Sequence, residues 1–173
     1  MKKLMLFFVG ILFMLFSSAQ LSLSKSESTW NLEAGPVVAV PFQFLHLFNS
    51  FGIGVNFAAL HPVGDGLSVG ARASYSYFVG KKLTGVPGAT HYDATNIVNI
   101  MAELNYTFDN NVIVGGDLGV GFAIKSGGTG ANVAENIFLG YQFSNSAHPV
   151  IFALVVNTTH TQKSIGLRGD VRF

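Results

Sequence analysis

The chain has 173 residues, a formal net charge of +1 and no cysteine. It is 49% hydrophobic but only 11% charged, against about 25% charged residues in ordinary soluble domains. These values exclude disulfides and a lipid-modified cysteine. They leave no basic surplus for nucleic acid, and the length suits a single domain.

Lys2 and Lys3 precede an apolar run over residues 4–16, followed by Ser17, Ser18, Ala19 and Gln20. A basic start, a short apolar stretch and small residues before a cut are the parts of a secretory signal. The run is short of the roughly 20 residues that a membrane helix needs. We expect residues 1–19 to be a signal peptide, cleaved between Ala19 and Gln20, with residues 20–28 as a polar lead-in. Residues 29–173 then form one domain. No later apolar stretch reaches helix-spanning length, so a membrane-embedded body must cross as strands.

Period-2 alternation predicts eight strands. The first, over 29–40, sets Trp30, Leu32, Ala34, Val38 and Val40 on one face, with Pro36 as a weak point. Residues 51–60 follow, with Phe51, Ile53, Val55 and Phe57 opposite Gly52, Gly54 and Asn56. The third, 67–78, opposes Val69, Ala71, Ala73, Tyr75 and Tyr77 to Gly70, Arg72, Ser74 and Ser76. The fourth, 95–108, alternates most cleanly, from Val98 and Ile100 to Tyr106 and Phe108. The fifth (112–124) and sixth (134–143) keep the pattern, and the seventh (150–157) is apolar on both faces. In the eighth, Ile165, Leu167, Val171 and Phe173 share one parity while Arg168, Asp170 and Arg172 share the other. Links at 61–66, 109–111 and 144–149 read as short turns, and those at 41–50, 79–94, 125–133 and 158–163 as longer loops.

Parity alone does not say which face meets lipid. A soluble lipocalin-like carrier would alternate with the sense inverted. Three features favour the membrane. The polar face is mostly Gly, Ser and Asn, which suits a narrow lumen better than a charged exterior. Glu33, Arg72, Glu103, Asp117, Arg168, Asp170 and Arg172 all fall on that face, where they can pair inside a barrel. Aromatic residues gather near strand ends, as in interfacial girdles.

With these features the chain resembles the small eight-stranded outer-membrane proteins of the OmpA transmembrane-domain and OmpX type. The resemblance implies an all-β, antiparallel up-and-down transmembrane barrel in a Gram-negative envelope, monomeric, with both termini periplasmic. It also implies that Ile165, Leu167, Val171 and Phe173 are read by the barrel-assembly machinery, although Arg168 stands where that signal usually has Gly. The expected partners are outer-membrane lipid and lipopolysaccharide, with an unidentified surface partner for the loops and no cofactor. The expected role is structural or surface-interacting. A porin-sized pore is not expected, because eight strands enclose a space that side chains fill, and a small conductance is left open.

Two small barrel families act on lipid A. The deacylases use a His, a Ser two residues on and a downstream Glu. Here His160 is followed by Gln162, Ser164 is four residues on, and no Glu comes later. The five histidines, His46, His61, His91, His148 and His160, lack metal-ligand spacing. Residues 41–50 form an unusually greasy link containing Phe42, Phe44, Leu45, Leu47 and Phe48. They read either as strand extension with interfacial aromatics or as an exposed contact for an acyl chain or partner.

Overall fold

A computed structural model describes residues 30–82, 91–125, 127–144, 148–159 and 163–173. The expected signal peptide, its cleavage site at Ala19 and Gln20, and the lead-in lie outside them. The described chain is a closed barrel of eight antiparallel strands in sequence order. They are β1 (Asn31–Phe42), β2 (Asn49–Pro62), β3 (Leu67–Gly80), β4 (Thr95–Thr107), β5 (Val112–Lys125), β6 (Gly128–Phe143), β7 (Val150–Thr159) and β8 (Lys163–Arg172). A single helical turn, α1 (Phe44–Phe48), joins β1 to β2.

Alternation in sequence becomes alternation in space. Leu32, Val38, Phe57, Ile100, Leu118, Leu139, Phe152 and Leu167 are exposed on the outer wall. Glu33, Asn56, Arg72, Asn99, Glu103, Asp117, Asn136 and Asp170 are buried inside. Every strand pairs on both sides, so no ladder edge is left open.

The seam between β1 and β8 closes the ring. Ala34 pairs with Val171 and Val37 with Arg168, but Gly35 and Pro36 between them have no partner in β8. Pro36 carries no N–H to give. Gly35 permits a close approach there: a Cβ on it would stand 1.8 Å from the Gly169 carbonyl oxygen.

Two links differ from the sequence reading. Residues 125–133 are not a long loop, because β5 and β6 continue past the expected ends and Lys125 pairs with Gly128. Gly128 has φ 140, which suits a tight hairpin, and the small residues Gly128, Thr129, Gly130 and Ala131 extend the ladder without an apolar face. Residues 41–50 are strand ends flanking α1, with Gln43 at φ 54 turning the chain inward.

Candidate functional site

Two places gather chemistry: the middle of the lumen and the end of the barrel bearing α1. In the lumen, Arg72 on β3 is the hub. Its guanidinium lies 2.9 Å from Glu33 Oε2, 2.5 Å from Glu103 Oε2 and 3.2 Å from Asp170 Oδ2, and it also donates to Asn56 Oδ1. One side chain thus links β1, β2, β4 and β8 across the bore. Arg168 sits 2.9 Å from Asp170 Oδ2 and stacks 4.4 Å above the Phe138 ring. Arg172 reaches Glu33 Oε1 at 2.7 Å and donates to Gln142 at 2.8 Å. Asn105 donates to Glu103 at 3.0 Å.

Asp117 stands apart from these ion pairs. It accepts from Asn136 Nδ2 at 2.8 Å, and its other oxygen has no hydrogen-bond partner among the described residues. The charges expected inside are therefore brought together, apart from Asp117, with Asn56 and Gln142 added, while Asn136 holds Asp117. Asn56 falls on the polar parity, and the alternation of the sixth strand puts Asn136 and Gln142 there too, but only the register brings them to the charges.

The lumen is not uniformly polar. Ile113, Phe138, Ile151, Ala153 and Val155 form one apolar cluster inside it. Those from β7 explain why that strand reads apolar on both faces. A second cluster, of Ala39, Leu45, Phe78 and Ile97, stops the bore beneath α1. Between this stopper and the ion network lies a cavity of about 60 Å³, lined by Asn99, Asn136, Arg168 and Ser164 among others.

The α1 end is braced by hydrogen bonds from other links. The Lys81 backbone N–H donates to the Phe48 carbonyl at 2.8 Å, and Lys81 Nζ donates to the His46 carbonyl at 2.6 Å. Lys125 Nζ lies 5.7 Å from the Phe48 ring centre, and Tyr92 meets that ring edge-on at 4.8 Å. Buried Asn49 donates to the Phe78 carbonyl at 3.1 Å and accepts from Thr95 at 3.2 Å.

Of the two readings of the greasy link, strand extension holds for Phe42, which ends β1, while Leu45 turns inward. Leu45 is 2% exposed and plugs the bore, and Phe42 and Phe48 are half-buried. Leu47 remains exposed, and the side chain of Phe44 lies outside the described residues. Leu45 turns inward because Ala39, Phe78 and Ile97 offer it an apolar seat inside the barrel.

Along β8, Ile165 near the α1 end, Leu167 and, at the other end, Phe173 are exposed on the outer wall, and Val171 is half-buried. The Phe173 N–H donates to the Leu32 carbonyl at 2.8 Å. His61 stacks on Trp30 and His148 on Phe173 at this end, far from His46 and His91. His160 and Gln162 lie outside the described residues, and Ser164 is buried in the wall of the cavity. Among the described residues, no group of three metal-ligating side chains gathers.

An apolar outer wall, a closed ladder and an ion-filled lumen define the architecture. No protein-family model matches the chain, and no curated protein sequence matches it. Solved structures do. Neisserial surface protein A superposes with a TM-score of 0.60 at 16% identity, covering 85% of this chain and 98% of that one. Ail, the attachment invasion locus protein of Yersinia pestis, gives 0.56 at 12% identity over 86% of this chain and 100% of its own. Ail in complex with the heparin analogue sucrose octasulfate gives 0.53 at 12% identity over the same shares. The chain has the fold of the small eight-stranded outer-membrane β-barrels. Its exposed apolar wall corresponds to the lipid-facing surface of that fold.

Proposed function

We propose that this outer-membrane barrel is a non-enzymatic surface-interaction protein whose α1 end meets anionic polymers outside the cell. The segregation of its cations carries this reading. Every lysine among the described residues, Lys81, Lys82, Lys125 and Lys163, lies at the α1 end, while Arg72, Arg168 and Arg172 belong to the lumen network. Arginine suits fixed, multidentate pairing inside, whereas exposed lysine is a hydrated point charge that attracts at longer range. The complex of Ail with a heparin analogue supports the same chemistry on a related scaffold.

Both termini would face the periplasm, opposite the lysines. Ile165, Leu167, Val171 and Phe173 would serve as the insertion signal for the assembly machinery, after removal of residues 1–19. The experiment is retention on immobilised heparin of the refolded full chain. Wild type should elute at higher salt than a variant with Lys81, Lys82 and Lys125 changed to Gln, and equal elution would sink the reading. Lipid A modification is the competing function. A change in lipid A acylation that depends on the protein, read by mass spectrometry, would replace the non-enzymatic reading.

A further inference from the structure

On β6, β7 and β8 the outer wall carries bulky side chains side by side. Leu139, Leu154 and Leu167 pair in one row, and Ile137, Val156 and Ile165 in the next. The wall of β1, β2 and β3 is different. Leu32 pairs with Ala59, and Ala59 with Ala71. In the row above, Ala34 pairs with Phe57, and Phe57 with Ala73. Four of these six outward positions hold only a methyl group. They leave a groove of about 460 Å³, with Leu32 and Phe173 at one end and Ile100 at the other. These three side chains are exposed, as is Phe57, which stands along the groove. Trp30 and His61, stacked on each other, lie one row further from α1.

Shape and chemistry narrow the occupant. The groove crosses from β1 to β4, three strand spacings of about 4.8 Å, or roughly 14 Å. The outward residues that line it are all apolar, while Glu33 and Arg72 behind it are turned into the lumen network. A polar ligand therefore finds no partner there. A second barrel is convex and would reach the recess with a single side chain, which cannot fill that length. A hydrocarbon chain is long, thin and apolar, and it would give the alanine methyls the dispersion contacts that an unfilled groove forfeits. The groove is also continuous with the wall that meets acyl chains in this fold.

We propose that this groove seats one acyl chain of a glycerophospholipid in the leaflet at the Trp30 end of the barrel. The chain supplies the binding, and the headgroup adds no selectivity. The leaflet follows from the proposed periplasmic placement of the termini, since the periplasmic side of an outer membrane is glycerophospholipid. The site itself does not depend on heparin binding, which uses lysines at the opposite end.

The test is native mass spectrometry of the refolded full chain in detergent, which reads the groove whichever way the barrel faces. The chain is titrated with choline, ethanolamine and glycerol phospholipids bearing identical long acyl chains. Wild type should retain one lipid, with the three headgroups equal. Ala71→Phe, which fills the groove, should weaken retention about tenfold, the equivalent of about two buried methylenes. Ala59→Leu should act in the same direction, and Val133→Phe, at an exposed position on β6, should change nothing. A lysophospholipid with a single chain should compete as well as the two-chain lipid. Heat-dependent gel mobility checks that each variant is folded. Retention by Ala71→Phe and Ala59→Leu equal to that of wild type overturns the proposal, and so does retention that follows the headgroup. A wild-type dimer lost in Ala71→Phe also overturns it, by assigning the groove to a second copy of the chain.

Discussion

Arg72 Nε and Glu103 Oε2 lie 2.5 Å apart in the centre of the lumen, on neighbouring strands, with both side chains almost fully buried. Arg72 also neutralises Glu33 and Asp170. Changing it to Met leaves three buried carboxylates short of a cation. We expect a loss of about 3–5 kcal/mol, read by urea unfolding in lipid vesicles. Adding Glu103→Gln should recover part of that loss. If the double variant is as unstable as the sum of the single ones, the two groups are not coupled.

The outer wall predicts a parity test. Val120 is exposed to lipid, and Val120→Arg should cost about 2–4 kcal/mol if it lies near mid-membrane. Asn105 faces inward and donates to Glu103, so Asn105→Ser should be milder and Asn105→Asp harsher. Equal costs for Val120→Arg and Asn105→Ser would refute the facing.

Gly35 predicts a seam test. A Cβ there collides with the Gly169 carbonyl, whereas one at Gly64 meets nothing within 4 Å. Gly35→Ala should lower the temperature at which gel mobility shifts, and Gly64→Ala should leave it unchanged. Identical midpoints would show that the seam yields freely.

Leu45 predicts a plug test. Leu45→Asp puts a charge into the apolar stopper of Ala39, Phe78 and Ile97. Residues 41–50 should then be cut faster by added protease in intact vesicles, while the strands stay protected. Unchanged cleavage would mean that Leu45 does not hold α1 down.

The barrel was legible because its wall has lipid on one side and a narrow bore on the other, and both write a period of two into the strands. Arg72, Glu103 and Asp170 were placed on the inner face by parity alone. Their mutual distances were not legible, because they depend on register across strands far apart in sequence. The greasy run at 41–50 left two readings open for a physical reason: a strand end and an exposed contact have the same composition, and the inward turn of Leu45 after Gln43 has no sequence signal of its own. Residues 125–133 misled because Gly and Thr carry no alternation, so backbone pairing continues without a sequence signal. Glu135 is legible as a charge on the greasy parity of its strand, between Val133 and Ile137.

The join between β1 and β8 has a kinetic consequence. Glu33 and Arg172, bonded across it, are 139 residues apart. Every other neighbouring pair of strands is a local hairpin, which can form while the rest of the polymer is still unstructured. This one must wait until nearly the whole polymer is in hand, and its closure entropy is the largest of the eight. Until then two bare ladder edges stand open together, so the lifetime of that half-made ribbon sets the time available for mispairing with another chain.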